Sequence, residues 1–172
     1  TKAFTATALG LLVHEGRLAW DDPVLRHLPE FQMYDPLVTR EITVRDLLCH
    51  RSGLGTFRGD LMAFGSTYDR AELMRRIRFI EPSFDFRAGF GYSNLMFLTA
   101  GEIIPKVAGL SWDEFIAERF FKPLGMNRSS TTLAALLAAD NVATPHGLDG
   151  EAIVPIPHDS VDSMAPAGTI NS

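Results

Sequence analysis

Gly89-Phe90-Gly91-Tyr92-Ser93-Asn94 is the stretch on which the reading of the chain turns. Two glycines flank a turn that presents Tyr92 and Asn94 two residues apart, and an apolar helical pattern begins directly behind them. Glycine reaches backbone conformations closed to other residues, so such a turn can lift polar side chains into a cleft. Tyr-x-Asn alone is a short pattern that arises often by chance. Its plainer reading is a tyrosine packed at a helix start, with Ser93 or Asn94 as the N-cap. The other end of the chain shifts the balance, because the sequence opens on Thr1-Lys2 and runs straight into an apolar helix.

Working outward from the turn, the spacing of Leu95, Leu98, Ile103, Ile104 and Val107 predicts a helix from about Asn94 to Val107, kinked or ended early by Pro105. Ser111-x-x-Glu114 is a capping box opening a helix that buries Phe115, Ile116 and Phe120, with Pro123 and Gly125 as its stop. Thr131 to Ala139 is alanine-rich and reads as helix. Beyond Asn141 the prolines dominate and only Ala152 to Ile156 suggests a strand. Upstream, Phe4, Ala8, Leu9, Leu12 and Val13 recur at helical spacing between Thr1 and Glu15, with Gly16 as a left-handed stop. Residues 30–42 read as a loop, Thr43-x-x-Asp46 as a second capping box, and Asp69-x-x-Glu72 as a helix start with Leu73 and Ile77 inward.

The remaining composition excludes several classes. A net charge of −5 argues against a nucleic-acid partner, and Arg70, Arg75, Arg76 and Arg78 read as one solvated helix face. No apolar run reaches the roughly 18 residues of a membrane span. Cys49 stands alone, so the chain has no disulfide of its own. Beside Leu47 and Leu48 it reads as a small buried residue, with a reactive thiol next to His50 as the alternative. His14 and His27 read as packing or surface residues and His50 as support for the Ser52-Gly53 turn. His146 and His158 lack metal-ligand spacing.

In order along the chain stand Lys2, Leu18-Ala19-Trp20-Asp21-Asp22-Pro23-Val24 and Ile42-Thr43-Val44-Arg45-Asp46-Leu47-Leu48-Cys49-His50-Arg51-Ser52-Gly53-Leu54. Gly91-Tyr92-Ser93-Asn94, Pro123-Leu124-Gly125-Met126 and Pro166-Ala167-Gly168 follow. Each is weak alone, but as an ordered series they resemble the serine β-lactamase-like family of penicillin-binding proteins, class C β-lactamases and related esterases and D-peptidases.

The resemblance implies a mainly α chain, the helical portion of a β-lactamase/transpeptidase-like α+β fold with most of the antiparallel sheet outside it. Residues 1–172 are then a single partial domain, cut at both ends. In this family a serine begins a Ser-x-x-Lys motif, and one helical turn places the lysine beside the hydroxyl to take its proton. Lys2 matches that lysine, which puts the serine two positions before Thr1, outside this sequence. Tyr92 matches the tyrosine that works with the lysine and protonates the leaving group, and Asn94 the asparagine that binds the substrate's acyl side chain and helps fix Lys2. The Lys/His-x-Gly strand and its half of the oxyanion hole belong beyond Ser172. Thr169 stands where the family's Pro-Ala-Gly-Gly stretch has a second glycine, so a tight glycine turn is not carried over.

The resemblance implies a small-molecule or peptide substrate bearing an ester, amide or β-lactam carbonyl, with no metal or organic cofactor. It implies a parent enzyme, with this chain inactive by itself. A non-catalytic sensor domain of the same fold and an inactive truncated product are the alternatives. The inward faces of the first helix and of the Asn94–Val107 helix are expected to need the missing sheet segments, or a second chain, to cover them.

Overall fold

The apolar spacing of the first fifteen residues folds into α1 (Lys2–His14), which buries Thr5, Ala8, Leu9 and Leu12. Gly16, at φ 69°, takes the left-handed turn that ends it. The computed structural model describes residues 1–172. After α1 come α2 (Val24–His27), α3 (Pro36–Glu41), α4 (Val44–Leu48), α5 (Arg70–Arg76), α6 (Asn94–Ala108), α7 (Trp112–Ile116) and α8 (Leu133–Leu137). A hairpin of β1 (His146–Asp149) and β2 (Ala152–Pro155) and the short α9 (Ala165–Gly168) follow.

α6 is the axis. It packs against α1, α4, α5, α7 and α9, and its residues from Leu95 to Gly101 are all buried. Leu9, Leu12, Leu47, Leu73, Leu98, Ile103 and Trp112 are fully enclosed around it. Each such aliphatic side chain contributes about 2 kcal/mol on leaving water. Gly101 sets how closely α9 approaches: a Cβ built there stands 2.3 Å from the Pro166 ring, so only glycine lets Pro166 lie on α6. Thr5 ties the same point to α1, donating its hydroxyl to the Pro166 carbonyl at 2.7 Å and accepting the Trp112 indole N–H at 3.0 Å.

Both capping boxes form, Thr43 with Asp46 at α4 and Ser111 with Glu114 at α7. Asp69 caps α5 through the Glu72 amide. The chain is helical with a single two-stranded sheet, as the family resemblance implies.

Several local expectations are corrected. Residues 30–42 are not all loop: Asp35 caps α3 by accepting from the Leu37 amide at 2.7 Å. Pro36 then sits at the first helical position, where a missing N–H costs nothing. Pro105 does not end α6, which runs on to Ala108 and Gly109 (φ 76°). In the last turn the ring forfeits one hydrogen bond, and the fully buried Ile103 and Ile104 outweigh it.

Cys49 is exposed, because it is the residue after α4 and no longer shares the face of Leu47. Arg70 is not on a solvated face: half-buried, it meets Asp113 at 2.8 Å and ties α5 to α7. The Ala152–Pro155 strand has a partner, β1, that periodicity does not show. Ala165-Pro166-Ala167-Gly168 forms a single helical turn. The inward faces of α1 and α6 are covered within the chain, by each other and by α7 and α9, with α4 and α5 also on α6.

Candidate active site

Lys2, Tyr92 and Asn94 meet. The Lys2 Nζ donates to Asn94 Oδ1 at 2.6 Å and to the Ala167 carbonyl at 2.7 Å, and lies 4.8 Å from the Tyr92 ring centroid. α1, α6 and α9 thus deliver one group each, and the packing of α9 on Gly101 places the third. Phe97, a turn into α6, closes the far side with its ring centroid 5.4 Å from the same nitrogen.

The turn before α6 owes its shape to close approach. A Cβ on Gly91 would stand 1.9 Å from the Leu54 carbonyl oxygen, so the 50–57 loop can lie against it only because the side chain is absent. The two segments are then stitched: Gly91 N–H to His50 O and Phe57 N–H to Tyr92 O, both 2.9 Å, and Tyr92 N–H to the Thr56 hydroxyl at 3.2 Å. Ser93 caps α6 through the Met96 amide. His50 at φ 56° and Phe57 at φ 58° sit in the left-handed region, strain that side chains rarely carry outside functional sites.

Sequence reasoning missed two members of this site. His50 does not support the Ser52-Gly53 turn. Its Nδ1 accepts the Ser93 N–H at 3.1 Å, and its ring stacks on Tyr92 with centroids 4.6 Å apart. Burial, helped by the Lys2 ammonium, holds it below the ordinary histidine value of 6.5. Below the unfolded value the unfolded chain binds the extra proton more readily, so His50 contributes stability above about pH 6.5 that is lost as pH falls through its lower folded value. In an NMR titration His50 is expected to reach its midpoint below 6.5, with the Ser93 amide shifting in step. A midpoint at or above 6.5 contradicts the burial of the ring beside the Lys2 ammonium.

Asp60 is the second. It lies in a 3-10 turn (Asp60–Met62), is 7% exposed, and accepts from Asn94 Nδ2 at 2.6 Å through Oδ2. Burial pushes its carboxyl up, against the opposing pull of Asn94 and Lys2. Nothing local in the sequence marks it. Asp60, Phe64, Asn94, Met164 and Ala167 line a cavity of about 170 Å³ beside Lys2.

Helices packed in this way are those of the β-lactamase/penicillin-binding-protein fold. The chain belongs to the Beta-lactamase family, which it matches over residues 1–172. It is 33% identical over 143 residues to an unguisins hydrolase of Aspergillus campestris, a match covering 77% of this chain and 26% of that protein. Penicillin-binding protein 4 of Amycolatopsis lactamdurans is 31% identical over 136 residues, covering 76% of this chain and 34% of that protein. Among solved structures, a D-stereospecific amidohydrolase from Streptomyces sp. superposes with a TM-score of 0.80 at 26% identity, over 98% of this chain and 54% of that one. The chain therefore spans 26% and 34% of the lengths of these two sequence relatives.

Proposed function

We propose that the chain carries the proton-transfer side of an acyl-serine hydrolase, with Lys2 and Tyr92 catalytic and Asn94 binding substrate. The observation that carries this reading is the convergence of Lys2 on Asn94 Oδ1 and on the Tyr92 ring from ninety residues away in sequence. Two acceptors fix the Lys2 nitrogen and leave one tetrahedral position for a third group. On this reading that position belongs to a serine two residues before Thr1, one helical turn from Lys2. Residues 1–172 are, on this reading, the helical part of one domain whose sheet comes from flanking segments or a second chain, and the chain alone is inactive.

The serine oxygen forms a bond to the carbonyl carbon of an ester, amide or β-lactam while its proton passes to the Lys2–Tyr92 pair. The bond to the leaving group breaks and that proton follows the leaving group. Water then attacks the acyl-enzyme, releasing the acid and restoring the serine hydroxyl. Asn94 has one Nδ2–H left after Asp60, enough for one acceptor on the acyl group. Likeness to a D-stereospecific amidohydrolase supports an amide among these substrates.

The test is intact mass of the protein, expressed with its flanking segments, before and after a fluorophosphonate. The expected result is one phosphonyl adduct, mapped by peptide sequencing to a serine two residues before Thr1. A folded protein that gains no adduct overturns the enzyme and favours a ligand-binding domain.

A further inference from the structure

We propose that Asp60 is the positioning residue of this site: it locks the side-chain amide of Asn94 in the one orientation that presents Oδ1 to Lys2. The inference rests on the acyl-serine reading for its catalytic consequence, but the lock itself is geometric. An asparagine amide has two orientations of similar shape and opposite polarity. On one side of Asn94 is the ammonium-bearing Nζ of Lys2, a donor at 2.6 Å. On the other is the Asp60 carboxylate, which can only accept, also at 2.6 Å. The two flanking charges agree on a single orientation, and without the carboxylate only Lys2 opposes the flip.

The unmet half of Asp60 argues that the residue serves the site rather than the fold. Its Oδ1 is buried with no hydrogen-bond partner. A buried carboxylate oxygen left unpaired is destabilising, and a fold gains nothing by retaining one. Asp60 is kept where its other oxygen holds Asn94, at the start of α6 and two residues after Tyr92.

The test uses Asp60→Asn and Asp60→Ala in the protein with its flanking segments. Both variants are expected to keep or raise the thermal midpoint; kcat should fall about tenfold or more in Asp60→Ala and less in Asp60→Asn, whose amide oxygen can still accept from Asn94. KM should stay within about twofold. Selective 15N-asparagine labelling gives a readout free of catalysis: one Asn94 Nδ2 proton is expected downfield in the parent and absent from that position in Asp60→Ala.

Unchanged kcat and an unchanged Asn94 resonance overturn the proposal. So does a loss of kcat that tracks a lowered thermal midpoint with the Asn94 resonance unmoved, which is the signature of a structural role. If the parent takes no fluorophosphonate, the acyl-serine reading fails and the Asn94 resonance still judges the lock.

Discussion

Replacing Lys2 by methionine is expected to slow serine acylation by about a thousandfold, the upper range of what one positioned proton acceptor supplies. Methionine keeps the unbranched stem, so the packing of α1 on α6 and α9 survives. What disappears is the nitrogen that Asn94 Oδ1 and the Ala167 carbonyl hold in place. Lys2→Arg separates the two roles that nitrogen can have. Arginine keeps the positive charge and donates to both acceptors, yet it stays protonated at any working pH and cannot take the serine's proton. If Lys2 is the proton acceptor, arginine is as damaging as methionine. If it is only an electrostatic anchor, Lys2→Arg retains most of the rate. The rate of fluorophosphonate labelling, measured with circular dichroism on the same samples, distinguishes the two. Labelling within tenfold of the parent in the folded methionine variant would sink the assignment.

What the sequence made legible was local. α1 and α6 announce themselves by apolar spacing, and the α4 and α7 starts by capping boxes whose partners lie three residues apart. Lys2, Tyr92 and Asn94 came through only because ordered motifs resemble a family. No spacing rule brings residue 2 to residue 94. The misses share a cause. His50 and Asp60 are loop residues whose neighbours are set by long-range contacts, His50 by Ser93 and Asp60 by Asn94. α3 and the β1–β2 hairpin are a different case, since their signals were present. Asp35-Pro36 is a cap followed by a first-turn proline, and proline was read as a breaker. Gly150-Glu151 is a two-residue hairpin turn with Gly150 at φ 63°, between strands too exposed to show an alternating pattern.

Asp46 shows how a residue read correctly for a local reason can do more. The capping box was legible. Its side chain is in fact fully buried, and it accepts from Thr43 N at 3.0 Å, Thr43 Oγ1 at 2.8 Å, Arg51 Nε at 2.6 Å and Arg87 Nη2 at 2.7 Å. Arg87 takes the left-handed conformation, φ 65°, in the loop that leads to Gly91 and Tyr92. One carboxylate therefore starts α4, holds the arginine that follows α4, and pins the loop carrying the tyrosine.

Burial alone would push this carboxyl up; hydrogen bonds from Arg87, Thr43 and Arg51 outweigh it and hold the pKa at about 2, against 3.8 for a free aspartate. Because the folded value is the lower one, the stabilisation is fully present above about pH 4 and is lost as pH falls through about 2. Asp46→Ala is expected to cost about 3–5 kcal/mol at pH 7, the range for removing one partner of a buried ion pair. It should also flatten the stability curve between about pH 4 and pH 2, because the group that titrates there is gone. Urea midpoints measured across that pH range check both. Asp46→Asn separates the cap from the clamp: an amide oxygen can still accept from Thr43 but cannot neutralise two guanidinium groups. If the clamp positions Tyr92, Asp46→Asn loses activity at temperatures where it remains folded, while the downfield Asn94 proton that reports the Asp60 lock stays in place. Loss of both together would mean that α4 and the Lys2–Asn94 site unfold as one unit, and that the loop is not held independently.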